Sequence, residues 1–413
     1  TGRLFDWGDD LALFELDDST LLSAPALTAP RQTTFEQDQL LPDPERLSES
    51  LNHMAQIGLQ TDGSVCRRGF SSSDVEGRDQ LALWMKDAGM QVGVDPAGNL
   101  IGRLLGLEPN LPALVTGSHL DTVPTGGRFD GVLGVLAGLE VVRCLQESGN
   151  RFRHSLEVIV FADEESTMVG CKGMTGCAST DPADYSTSNG QSIETNLERI
   201  GGHWPSLASS ARADHAIAAF VELHVEQGGV LESRGEIIGV VEGIVGQRRF
   251  VICVQGQANH AGTTPIPGRQ DALVVASKIV LAIEDLARTH PGEPVATVGR
   301  LDVWPNAANV VPGGVELSVD IRDLDPVVLD QLVSDLQSRL ECIAEQSGCR
   351  IHLDPAFEVA PTPSDPAVMR TIATAARDLG VSHCALPSRA SHDAQEIGRR
   401  WPMGMIFVPS RGG

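Results

Sequence analysis

The stretch ALVTGSHLDTVPTGGRFDGVLGVLAGLEVVRCLQES, residues 113–148, decides the reading of the fold. It opens on an apolar run, ALVTGSHL (113–120), that ends in a polar turn. A glycine-rich turn, TGGRFDG (125–131), then starts an apolar helix over 132–148. SLEVIVFAD (155–163) is a second, nearly continuous apolar strand, and AAFVELHVE (218–226) a third. Strands apolar on both faces and separated by helices belong to a buried, mostly parallel sheet, so a doubly wound α/β sheet is expected.

Upstream, Pro44 precedes a helical pattern over 45–58 with Leu47, Leu51, Met54 and Ile57 at helical spacing, and a second helical pattern covers 76–89. Residues 1–42 are atypical, acidic and proline-bearing, and read as a peripheral segment and linker. Downstream the rhythm changes. RRFVICVQG (248–256) is a strand, 271–289 a helix, VATVGRLDV (295–303) and VELSVDIRD (315–323) two strands, 326–348 a helix and CRIHLDPAF (349–357) a strand. That β-α-β-β-α-β order is ferredoxin-like. Helical and strand patterns resume over 365–408, so the smaller unit (244–357) is expected as an insertion in a catalytic domain made of 43–243 and 358–413.

The formal charge of −24 leaves no basic stripe for nucleic acid. No apolar run approaches the length of a membrane span, and no secretory leader pattern is found. The eight cysteines (66, 144, 171, 177, 253, 342, 349, 384) are scattered without a CxxC pair, which suits reduced thiols and a cytoplasmic setting.

Four turns bearing acids or histidine lie at strand and helix boundaries: Ser118-His119-Leu120-Asp121, Gly127-Arg128-Phe129-Asp130-Gly131, Asp163-Glu164-Glu165-Ser166 and Glu222-Leu223-His224-Val225-Glu226-Gln227-Gly228. A lone His at a strand end is more often structural than a ligand. Four such turns in succession, delivered by apolar strands to the edge where open α/β sheets build their sites, point to a metal centre. Histidine and carboxylate without cysteine suits zinc, manganese or cobalt. TGGRFDG lacks the Lys-Ser/Thr ending of a phosphate-binding loop, and no G-x-S-x-G nucleophile elbow occurs.

From about residue 43 onward the chain resembles the M20 metallopeptidase superfamily, in its branch of N-carbamoyl-L-amino acid hydrolases, β-ureidopropionases and allantoate amidohydrolases. The segments that carry the likeness are GSHLDTVPTGGRFDGVLGVLAGLE, FADEES, VELHVEQG, ANHAGTTP, NVVPGGVELSVDIRD and SHDAQ. His224, where peptidase relatives commonly carry Asp, favours the carbamoylase branch. The resemblance implies two divalent ions, with Asp130 bridging them, His119 and His224 completing one site and Glu165 binding the other. Glu164 would be the general base, and Asp121 would sit behind the His119 imidazole and orient it. It also implies that His260 donates to the developing oxyanion from a partner subunit, that Asn309 and Arg322 hold a substrate carboxylate, and that Gln227 contacts the ureido group. His392, in SRASHDAQ, departs from the family's glycine-rich form and is assigned to substrate binding. The family's second ion takes a further His from an Ile-Ser-His-like segment after a glycine pair. The sequence stops at Ser410-Arg411-Gly412-Gly413, so an incomplete second site, through a trimmed C-terminus, is expected.

The expectation is therefore a homodimeric, metal-dependent hydrolase of linear amides that cleaves the carbamoyl group of N-carbamoyl-L-amino acids, releasing ammonia and carbon dioxide. Allantoate hydrolysis is the nearest alternative. An aminoacylase or dipeptidase, or an inactive binding member, stand further off.

Overall fold

The computed structural model describes residues 41–411. All but the last two residues of the atypical segment 1–42, and Gly412-Gly413, lie outside the described residues.

Helix α1 (Pro44–Gln56) is capped by Asp43, whose carboxylate accepts from the Glu45 and Arg46 amides, with Pro44 where no amide is needed. Helix α2 (Ser72–Asp87) starts at Ser71, whose hydroxyl accepts from Asp74 N. Strands β1 (Gln91–Val94) and β2 (Leu100–Leu104) form an antiparallel pair. The β-α-β unit is β3 (Ala113–His119), α3 (Val132–Ser148) and β4 (Leu156–Phe161). Short helices α4 (Val169–Thr175) and α5 (Ile193–Arg199) precede β5 (Ile217–Val225). Helix α6 (Val230–Arg234) and β6 (Ile238–Ile244) complete this half of the chain.

Two compact units are present. Among the described residues, the first comprises those up to Val241, Ser364–Ala385 and those from His392 on; the second comprises Glu242–Pro363 and Leu386–Ser391. The second holds β7 (Gly246–Gln255), β8 (Asn259–His260), α7 (Ala272–Thr289), β9 (Val295–Trp304), β10 (Val310–Val311), β11 (Gly314–Asp323), α8 (Pro326–Ser347), β12 (Arg350–Val359) and β13 (Thr362–Pro363). Its four-stranded antiparallel sheet runs β12-β7-β11-β9. Phe250, Ile252, Leu317, Val319 and Ile321 on that sheet pack against Ile279, Ile283, Leu332 and Leu336 of α7 and α8. The chain then adds α9 (Pro366–Asp378), β14 (His383–Ser388), α10 (Asp393–Ile397) and β15 (Met403–Val408).

The sheet of the first unit is mixed, in the order β1-β2-β4-β3-β5-β15-β6. Its centre, β4-β3-β5-β15, is parallel, as the apolar runs imply, and its flanks are antiparallel. The β1-β2 pair was not legible in sequence because two strands of four and five residues, interrupted by Gly93 and Gly102, carry too little period-2 signal. Leu136, Leu139 and Val142 of α3 and Leu81 and Met85 of α2 close over Leu100, Val158 and Val160. Gly134 lets α3 lie this close: a Cβ there would fall 2.2 Å from the Leu223 carbonyl oxygen.

Two buried arginines tie the strand ends to α1 and α2. Arg67, 1% exposed, donates from Nε to Leu120 O at 2.6 Å and from Nη1 to Met54 O and Ile57 O at 2.9 and 3.0 Å. Arg78 pairs with Asp74 at 3.1 Å and donates to Gly98 O and Phe161 O at 2.8 and 3.0 Å. Each guanidinium thus grips the carbonyl at or just beyond the end of a strand, Leu120 after β3 and Phe161 on β4. Arg67→Met removes the donor from three buried carbonyls and should lower unfolding stability by about 3 kcal/mol or more. Urea denaturation with an unchanged m-value checks this, and a loss near zero would show that the three bonds do not matter.

Candidate metal centre and catalytic turns

The chain winds from β3 through α3 to β4 on one side of β3, then returns with β5 paired to its other side. That reversal is the topological switch point, where open α/β sheets place their sites. His119 is the last residue of β3, and His224 is the next-to-last of β5. Both rings are buried.

The tautomers follow from the backbone. His119 Nδ1 lies 2.9 Å from Asp121 O, and His224 Nδ1 lies 2.8 Å from Val225 O. A carbonyl only accepts, so each Nδ1 carries the proton and each Nε2 presents a lone pair, that of His224 also accepting weakly from Gly131 N at 3.3 Å. His224 Nε2 is 3.1 Å, and His119 Nε2 4.0 Å, from Oδ1 of Asp130. That oxygen is buried without a hydrogen-bond partner, while Oδ2 accepts from Gln227 Nε2 at 2.8 Å. Ligand atoms of His119, Asp130 and His224 all lie within 4.8 Å of one another. Three lone pairs facing one another in a buried site repel unless a cation lies between them. The donor set therefore fits a divalent metal, and histidine-carboxylate ligation suits zinc, manganese or cobalt.

A proton on His224 is the competing solution. Burial opposes it, but the hydrogen bond to Asp130 and the charge of Glu222 raise the His224 pKa above its ordinary value. For Asp130, burial favours the neutral acid, yet His224 and His119 hold the carboxyl well below the usual carboxylate range. Gly131 is required where it stands. Its φ is +65°, and a Cβ there would fall 2.6 Å from three atoms of the His119 ring.

Glu164 and Glu165 follow β4 on a turn begun by Asp163, which adopts φ +56°. Asp163 O accepts from Thr167 N and Met168 N, and its carboxylate from the Thr167 hydroxyl at 2.6 Å. Asp121 anchors the same turn: its carboxylate accepts from Glu164 N at 3.3 Å and Glu165 N at 3.0 Å. Glu164 Oε2 lies 3.7 Å from His119 Nε2. Burial, then repulsion from Asp393, Asp121, Glu165 and Glu222, raises the Glu164 pKa well above the ordinary range. Glu165 is raised by burial, with His119 opposing. A carboxyl with a raised pKa next to the ligand set is equipped for acid–base work.

Residues 115–413 match the family model for Peptidase family M20/M25/M40. The chain belongs to that family. It is 38% identical over 374 residues to an N-carbamoyl-L-amino acid amidohydrolase of Geobacillus stearothermophilus, covering 89% of this chain and 91% of the relative. It is 36% identical over 373 residues to an allantoate amidohydrolase of Bacillus subtilis, covering 89% and 90%. Among solved structures, an amidase of the hydantoinase/carbamoylase family from Burkholderia multivorans superposes with a TM-score of 0.84 at 37% identity, covering 90% of each chain. The M20 chain is therefore a hydrolase of the amidohydrolase type.

Within the M20 fold, the first unit holds His119, Asp121, Asp130, Glu164, Glu165, His224, Gln227 and His392, and the second holds His260, Asn309 and Arg322. Asp121 contacts the His119 ring through its carbonyl oxygen; its carboxylate is 3.8 Å from Nδ1 and serves the glutamate turn. Gln227, at φ +55°, holds Asp130. His392 is buried with its ring 4.4 Å from that of His224, and burial and His224 depress its pKa well below the ordinary value. Glu222, His224 and His392 form a second cluster of ligand-type atoms, but Glu222 accepts from the Ser118 hydroxyl at 2.7 Å and Ala394 N at 3.0 Å. That makes Glu222 a support beneath the rings.

In the second unit, His260 is exposed, and its Nδ1 accepts from Gly262 N and Thr263 N at 3.1 and 3.3 Å. Nε2 therefore carries the proton and is a donor. Asn309 lies beside it, its carbonyl accepting from Ala261 N at 2.9 Å. Arg322 forks onto Asp320 at 2.8 and 3.0 Å and donates to Arg389 O at 2.6 Å. Sequence reasoning missed Arg67, Arg78 and Asp163. Only the Asp74–Arg78 spacing of four on a helix signalled any of them.

Because metal ion and proton compete for His224 Nε2, metal affinity should fall as pH is lowered through the histidine range. Calorimetric titration of the metal-stripped chain with zinc or manganese between pH 8 and 6 checks it. Asp130→Asn should lose binding across that range; retained affinity would remove Asp130 from the ligand set.

Proposed function

We propose that the protein is a metal-dependent amidohydrolase that removes the carbamoyl group from N-carbamoyl-L-amino acids or closely similar ureido acids. The observation that carries this reading is the convergence of the Nε2 lone pairs of His119 and His224 on Asp130 Oδ1, with the Glu164 carboxyl 3.7 Å from His119. The two amidohydrolase relatives, each aligned over nearly nine tenths of the chain, supply the substrate class.

His119, Asp130 and His224 would hold one ion and Asp130 with Glu165 a second. Ions held there supply Lewis acidity to the carbamoyl oxygen and acidity to the attacking water. Glu164 takes the proton of that water and returns it to the departing nitrogen. His260, acting from a partner subunit, donates from Nε2–H to the oxygen that becomes negative as the carbon turns tetrahedral. Asn309 and Arg322 bind the substrate carboxylate, and Gln227 and His392 meet the ureido end. The second unit is read as a ferredoxin-like lid through which two chains pair. Its edge strand β9 is largely exposed, and α7 exposes Val274 and Leu281, 52% and 64% accessible.

Glu164→Gln should retain metal while turnover falls by about 10²- to 10⁴-fold, the range for a positioned acid–base group. Ammonia release from N-carbamoyl-L-amino acids, N-carbamoyl-β-alanine and allantoate identifies the substrate. Failure to hydrolyse any of them when metal-loaded would overturn the reading.

The shared-site arrangement has its own test. His260→Ala should lower kcat by roughly 10²- to 10³-fold, as for a lost oxyanion donor. When it is mixed with Glu164→Gln and subunits exchange, each heterodimer has one site with both defects and one with neither, so activity returns toward half of wild type. A flat result with proven exchange places His260 in its own subunit's chemistry.

A further inference from the structure

A cavity of about 490 Å³ lies at the end of the first unit's sheet opposite the metal-binding turns. It is bordered by the residues that lead into β3 and β5, Pro112 and Ala216, and by Glu157 at the start of β4. The metal-binding turns follow the other ends of these strands, which at six to nine residues span roughly 20–30 Å.

Its lining departs from the pattern around it. Strand β4 is buried along its whole length, and Glu157 is its single charged residue. The alternation of side chains places Glu157 with its cross-strand neighbour Arg103 and with Ile101 on the sheet face opposite Leu100, Val158 and Val160, which pack under α2 and α3. The carboxylate accepts from Arg103 Nη1 at 2.9 Å and, on its other oxygen, from Arg212 Nη1 at 2.5 Å. Glu157 is 2% exposed at its side chain, and the two arginines 22% and 20%. The lining thus carries two guanidinium groups, Arg103 and Arg212, and two carboxylates, Glu157 and Asp95, the latter also attracted by Arg212. Asp95, also at the cavity, turns its oxygens onto Asn99 N and Nδ2 at 2.9 and 2.8 Å. Arg212 makes no other side-chain hydrogen bond among the described residues, so four of its five N–H donors remain for a ligand. Val94, Ile101 and Leu111 supply an apolar wall.

We propose that this cavity is a second ligand site, separate from the metal centre, for a small organic monoanion: a carboxylate held by Arg212 beside the Arg103–Glu157 pair, with an apolar body of amino-acid side-chain size. A free cationic amine is excluded from the class, because the carboxylates of Glu157 and Asp95 are already engaged and the groups left open at the cavity are the N–H donors of Arg212. The inference stands apart from the substrate assigned to the metal centre.

The test uses 4-methylpentanoate as probe, with 3-methylbutan-1-amine as its cationic counterpart, in equilibrium dialysis against the full metal-loaded chain. Wild type and Arg322→Ala should bind the carboxylate alike, and the amine should not bind. Arg212→Gln should weaken binding by roughly ten- to a hundredfold, as for a lost charge-assisted bond. Ala216→Leu, which fills the cavity without touching the charges, should weaken it too and carries the test if Arg212→Gln fails to fold. Turnover of both variants should stay near wild type. Undiminished binding in Ala216→Leu, loss in Arg322→Ala instead, equal binding of the amine, or no binding at all would each overturn the proposal.

Discussion

Three lone pairs are brought together at the strand ends of the first unit, and bringing them together is unfavourable without a cation. His119 Nε2, His224 Nε2 and Asp130 Oδ1 face one another because each imidazole gives its only proton to a carbonyl one or two residues further along the chain. The backbone that ends β3 and β5 therefore sets the protonation of the rings as well as their position. That requires β3 and β5 to be direct parallel neighbours, which the winding order provides. It also requires a residue without a side chain at 131, where α3 begins against the His119 ring.

The acids around this point impose a second constraint. Asp121 is fully buried and, through burial first and then the proximity of Asp163 and Asp74, has its pKa pushed up to about 8. Asp393 has both carboxylate oxygens buried with no hydrogen-bond partner. Such groups are costly in a protein interior unless they are paired, kept neutral or set near a cation. Arg67 and Arg78 provide part of the compensation from beneath, and they are fixed by carbonyls at the same strand ends they neutralise. The remaining compensation must come from the site itself, so the acid cluster and the cation site are one electrostatic unit.

The parts of this arrangement legible in sequence were those written in a period or a short motif. The apolar runs of β3, β4 and β5, the helix over 132–148 and the strands and helices between 248 and 357 were readable to within a few residues. The four polar turns could be read because each interrupts or ends an apolar segment. The second layer was not legible in the same way. Arg67 acts through carbonyls of residues 54, 57 and 120, and a carbonyl has no residue type. Asp163 matters through a left-handed backbone conformation, which Asp tolerates but does not announce. Glu157 was passed over inside a nearly continuous apolar strand, and its partners, Arg103 and Arg212, lie 54 and 55 residues away in sequence.

Side chains expected to meet substrate are already engaged. Gln227 holds Asp130, and the Arg322 fork closes on Asp320. A ligand that recruits these groups must exchange one hydrogen bond for another, so the net gain from each contact is smaller than its geometry suggests. The exchange favours selectivity over affinity. On the proposed roles, a ligand lacking a carboxylate would leave Arg322 on Asp320 and gain nothing there. One lacking a ureido acceptor or donor leaves Gln227 on Asp130, where it continues to fix the carboxylate on which both histidines converge. Gln227, occupied in this way, fixes the Asp130 carboxylate toward the two histidines before any ligand arrives, which is a form of the preorganisation that electrostatic catalysis depends on.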